Sequence, residues 1–158
     1  PFFLGAPMPA ITIPIEIQLT PRSRAIMAAL AEADSQQAET TLPTPALQPG
    51  EHYAGVVVDE SGQVTHHLVL MAPRPDGKLQ WQAAMDWAAS VGGALPTRQE
   101  QALLYANCKP HIKPEWHWSS ETHADEASYA WYCYFTSGPQ GSYGLKSYEG
   151  SAVAVRRV

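Results

Sequence analysis

The chain predicts an α+β fold, on three observations. Two β-rich runs joined by a short polar turn come first, two segments of helical periodicity follow, and the remainder reads as strand and loop. Helix and strand are segregated along the chain, as α+β domains require. The composition permits this: 158 residues, 45% hydrophobic and 16% charged, suffice for one buried core with a small appendage.

Residues 1–9, PFFLGAPMP, are apolar but carry no basic n-region or continuous h-region, so they predict neither a secretory signal nor a membrane span. Met8 is a candidate natural start. Cytoplasmic residence with free thiols is the expectation that follows. Ile11, Ile13, Ile15, Ile17 and Leu19 alternate with polar residues and Pro14, the period of an edge strand. Thr20 and Pro21 then make an N-cap with proline at the first helical position. Ile26, Met27, Leu30 and Ala33 give the helix a narrow apolar stripe as far as Ala38. This strand-helix extension, residues 1–39, is too small to stand alone. It predicts packing on the main domain or homo-oligomerisation through Ile11 to Ala38.

Residues 40–50 hold Pro43, Pro45 and Pro49 and read as a semi-rigid linker. The main domain, residues 51–158, opens with a hairpin: His52 to Asp59, a turn of Glu60, Ser61, Gly62 and Gln63, and Thr65 to Met71. Trp81, Ala84, Met85, Ala88 and Val91 predict a helix stopped by Gly92 and Gly93. Thr97 and Glu100 form a capping box for a second helix that ends before Pro110. Strands are expected at Trp116 to Ser120, Tyr129 to Thr136, Tyr143 to Tyr148 and Ser151 to Val158, the last closing against the first.

Ten Lys and Arg against fifteen Asp and Glu leave a net charge of -5, which removes the electrostatic footprint of a nucleic-acid binder. No membrane insertion is expected. Two cysteines cannot make a disulfide-dense scaffold. The most unusual feature is that nine of the fifteen aromatic residues fall between Trp116 and Tyr148.

At these residues a family resemblance becomes specific. Trp81, Ala84, Trp87, Gly92, Gly93, Leu95, Pro96, Thr97, Arg98, Glu100, Leu104, Tyr105, Trp118, Ser119, Ser120, Trp131, Phe135, Lys146 and Arg156 follow a pattern from about Gly50 to Val158. It resembles the C-terminal domain family of the Lcl-type collagen-like adhesins, common in prophages. The resemblance implies a C-type-lectin-like fold, shared with formylglycine-generating enzymes and with receptor-binding proteins of phage retroelements. It also implies a bacterial or virion-associated location.

The candidates for chemistry are few. Formylglycine-generating enzymes use cysteines a few residues apart, whereas Cys108 and Cys133 lie on different elements and Cys133 reads as core. Whether those two cysteines pair is open. His117, Glu121 and His123 share one side of an extended strand, but with no fourth ligand indicated they read as solvated residues, not a zinc site. The tripeptides of a lectin calcium site are missing. His66 and His67 near Asp59 lack a nucleophile, and since adjacent strand residues face opposite ways, one of the two is expected on the hairpin surface. The expectation is a protein without enzymatic activity, cofactor or metal.

The aromatic cluster carries the functional expectation. Alternation places Trp131, Cys133 and Phe135 on one face, and the resemblance implies that Trp131, Phe135 and Trp118 are core. Alternation turns Tyr132 and Tyr134 to the other face, and the turn holding Gly138, Pro139 and Gly141 presents Tyr143 and Tyr148 with them beside Gln140 and Ser142; Tyr129 is counted in the same ligand-binding set. A Tyr, Ser and Gly surface has the composition of recognition loops, where rigid amphipathic rings give contact area at low entropic cost. That composition predicts binding there, and the resemblance implies that the binder is a phage or prophage recognition protein with a protein or glycan ligand. The alternative is an intracellular phage accessory protein that binds a host protein, for example to counter a defence system.

Overall fold

The computed structural model describes residues 20–37 and 43–158. The strand read from Ile11 to Leu19 lies outside them. The chain divides into two units, Pro1–Thr40 and Thr41–Val158. Its elements are α1 (Pro21–Gln37), β1 (His52–Val58), β2 (Val64–Leu70), α2 (Trp81–Ser90), α3 (Arg98–Cys108), a 3-10 turn (Lys109–His111), β3 (Trp116–Thr122), β4 (Tyr129–Tyr134), β5 (Gln140–Leu145) and β6 (Val155–Arg157). The fold is α+β, with two three-stranded antiparallel sheets, β1-β2-β6 and β3-β4-β5. Among the described residues no helix is long and apolar enough to cross a membrane.

α1 starts as its sequence dictates: the Thr20 hydroxyl accepts the Ser23 N–H at 3.2 Å, and Pro21 needs no donor there. Ile26, Met27 and Leu30 on this helix are exposed.

In the second unit the β1-β2 turn is closed by Asp59, whose Oδ1 accepts the N–H groups of Ser61 and Gln63. Gly62 takes the positive φ of 81° that the turn requires. β6 pairs with β2, not with the first strand as the sequence suggested. The reason is that side chains of α3 occupy carbonyls of β1: Asn107 Nδ2 donates to Ala54 O and Gln99 Nε2 to Val58 O. The final strand is also shorter than expected, because residues 151–154 are buried as irregular chain, tied by a bridge of Ser151 to His117 and by Met71 N–H donating to Ala154 O at 3.0 Å. Nor is the proline-rich stretch merely a linker at its end, since Arg156 Nη2 donates to Ala46 O.

α2 stops at Gly92, with φ +80°. α3 begins with the expected capping box: Thr97 Oγ1 accepts from Glu100 N–H and Glu100 Oε2 accepts from Thr97 N–H. Two clusters form the core. One joins Leu68, Leu70, Leu104, Cys108, Cys133, Phe135 and Val153 between the first sheet and α3. The other gathers Ala84, Ala88, Leu95, Trp118, Ala130 and Ala154 around α2. Trp118 sits fully buried, its indole N–H donating to Leu79 O at 2.8 Å.

Candidate functional site, an aromatic groove on the second sheet

The geometry of β3-β4-β5 turns on Trp131, where both ladders break. Trp118 pairs with Tyr132 and Thr122 with Ala130, so Ser119, Ser120 and Glu121 stand opposite Trp131 on one side. On the other, Gly141 pairs with Tyr132 and Gly144 with Ala130, so Ser142 and Tyr143 share that position. Bulges of this kind bend a strand and re-aim side chains. Tyr143 is turned out to 68% exposure.

Trp131, expected in the core, is only half-buried. Its ring lies under the Arg98 guanidinium, 3.4 Å from carbon to centroid, so the first turn of α3 covers it instead of apolar neighbours. Phe135 and Trp118 are fully buried, as the inward reading required.

Trp116, Tyr132, Tyr134, Tyr143, Gly144 and Tyr148 line one open groove of about 210 Å³. Its rings meet edge to face: Trp116 on Tyr132 at 5.5 Å and 65°, Tyr132 on Tyr134 at 5.3 Å and 87°. Glycine makes this packing feasible. A Cβ on Gly141 would stand 2.5 Å from the Tyr132 ring, and one on Gly144 would stand 2.7 Å from the Trp118 ring.

Tyr132, Tyr134, Tyr143 and Tyr148 are thus brought together as the sequence predicted. Tyr132 is not an outward residue, however: it is half-buried and packs on the cluster of Trp118 and Ala130. At Tyr132 the face opposite Cys133 meets Trp116 of β3, whereas Tyr134 on the same face is exposed. Burial pushes the Tyr132 hydroxyl pKa up, with Tyr134 adding to the shift.

Tyr129, Gln140 and Ser142 do not line the groove. Tyr129 props Tyr143 edge-on at 5.7 Å. Gln140 is committed to the start of α3, its Nε2 donating to Arg98 O at 2.6 Å. Trp116 and Gly144 were missed. The i, i+2 spacing of Trp116 and Trp118 was the available signal, since it places both indoles on one side of a strand.

The remaining polar candidates are engaged elsewhere. His66 Nε2 lies 3.0 Å from Glu100 Oε1, not against Asp59, and His67 Nδ1 lies 2.7 Å from the Tyr53 hydroxyl. His67 is buried and its neighbour His66 is the partly exposed one of the two. Glu121 Oε1 accepts Arg98 N–H, and His123 Nδ1 accepts from Asp125 and Glu126. His117, expected in solvent, is 2% exposed. Among the described residues no three His, Cys, Asp or Glu gather as a metal site. Cys108 and Cys133 are free thiols in one core cluster, and burial raises both pKa values.

Neither the protein-family models nor the curated proteins give a match to this chain.

Proposed function

We propose that the second unit is a C-type-lectin-like recognition domain of phage or prophage origin, without enzymatic activity, that binds a protein or glycan ligand in the tyrosine groove. The observation that carries this reading is convergence. Four tyrosines from β4, β5 and the turn after β5 meet Trp116 around one concavity, and Tyr134, Tyr143 and Tyr148 remain exposed. Rings held by edge-to-face contacts lose little entropy when a ligand seats on them. The α+β order, the two helices of the second unit and the buried Trp118 and Phe135 agree with the resemblance.

The test is a glycan array and a peptide library probed with the full chain, then repeated with Tyr143→Ala plus Tyr148→Ala. Both residues are exposed, so stability should move by less than about 1 kcal/mol for the pair. Binding that survives this double substitution sinks the proposal. Tyr132→Ala is a poorer probe, because that ring also supports the core.

A further inference from the structure

A second cavity, about 290 Å³, is lined by neighbours of the groove residues. Trp116 faces the tyrosines, whereas the flanking Glu115 and His117 line this second cavity, as alternation along an extended chain dictates. Three of the chain's ten Lys and Arg residues, Arg74, Lys78 and Lys113, converge there with His111. The one carboxylate, Glu115, is held by the Ser151 hydroxyl at 2.6 Å and by Lys78 at 3.6 Å. Arg74 gives its guanidinium to the carbonyls of Met71, Ala72, Pro73 and His111, and among the described residues it meets no carboxylate. The Lys113 carbonyl accepts Glu115 N–H at 2.8 Å, but the Lys113 ammonium makes no hydrogen bond or ion pair among them and acts on Glu115 only through its charge. A chain of net charge -5 therefore maintains a cavity with a surplus of positive charge.

His117 adds a second, independent feature. Its Nδ1 lies 3.1 Å from the Glu115 carbonyl oxygen and so carries the proton. Nε2 of the neutral ring is left as an acceptor, and no described group bonds it.

We propose that this cavity binds a small hydroxylated oxyanion, a hydroxy acid or sugar acid. Its carboxylate sits against Arg74 and Lys113, and its hydroxyl donates to His117 Nε2. The volume is near the lower end for small-ligand sites, which limits the occupant to about one sugar ring.

Amide chemical shifts of the full chain, titrated with glucuronate, glycolate and neutral glucose, test it. Glucuronate and glycolate should move the resonances of Lys113, Ser151 and Ala152 at concentrations of about 10 mM or below, and glucose should not. Lys113→Gln, at an exposed position, should weaken glucuronate roughly tenfold without changing the melting temperature, and Lys113→Arg should restore it. Two results would overturn the assignment: no shift with either acid, or equal binding by wild type and Lys113→Gln.

Discussion

The two sheets have the same strand number and the same antiparallel pairing, yet they dispose of their polar and aromatic groups in opposite ways. Against β1-β2-β6, the buried carboxylates of Glu100 on α3 and Glu51 just before β1 are fully matched by arginines of β6. Glu100 accepts Arg157 Nε and Nη2 at 2.6 and 2.8 Å, together with Thr97 N–H and His66, and Glu51 accepts Arg156 Nε and Nη2 at 2.8 and 2.7 Å. In β3-β4-β5 the strands present rings that satisfy one another only edge-on, so ring faces of Tyr134, Tyr143 and Tyr148 remain open. A sheet whose groups are all committed acts as scaffold. One that holds rigid but incompletely covered surface is where a ligand gains most.

The sharpest test of this contrast lies within the second sheet. Trp118→Ala empties a fully buried site and should cost about 3–5 kcal/mol, whereas Trp131→Ala removes a half-buried ring under Arg98 and should cost about 1–2 kcal/mol. Chemical denaturation of both variants decides it; equal losses would return Trp131 to the core.

For the first sheet, Arg157→Ala should cost about 2–3 kcal/mol. The figure sits below that for a fully buried pair because Arg157 is 38% exposed and the Thr97 and His66 contacts to Glu100 survive. Burial alone would raise the Glu100 pKa, but the Arg157 hydrogen bonds and the other donors overcome it and hold the carboxyl below its usual range. A depressed carboxyl stabilises the fold above the usual carboxylate range, and that contribution fades as pH falls through the folded-state pKa. The variant should therefore show a shallower acid-induced loss than wild type.

A smaller effect separates histidine from carboxylate titration. Burial pushes the His117 pKa down from 6.5 to about 4, and nearby Arg74 and Lys113 act in the same direction, against the Glu115 carbonyl and carboxylate. The unfolded chain takes up the proton first, so stability is complete above pH 6.5 and falls between there and about 4. Wild type should lose about 2 kcal/mol from about pH 7 to about pH 5, before the carboxylates contribute. His117→Gln should flatten that segment of the profile; an unchanged slope would place the titration on another histidine.

Local signals were the legible ones. The capping box at Thr97 and Glu100, the hairpin turn and the stop at Gly92 are each written in adjacent residues, and the structure keeps them. The tyrosine face was half legible. Alternation along the strand found Tyr134, and the Gly-containing turn after it pointed to Tyr143 and Tyr148, but neither signal could register the double bulge at Trp131, which depends on partners from two other strands. Neither could tell that Gln140 would be drawn to Arg98. The partner of β6 was hidden for a similar reason, since Asn107 and Gln99 block β1 only once α3 has docked.

Arg156 and Arg157 are consecutive, so an extended strand points them to opposite sides, and each neutralises a buried glutamate made much earlier in the chain. A ribosome delivers those glutamates first. Until positions 156 and 157 have left the exit tunnel, neither carboxylate has its guanidinium, and β2 lacks its outer neighbour. The hairpin and helices can form during synthesis, but the closing step of this domain waits for its final strand, which works as a clasp fastened once translation of the whole unit is done.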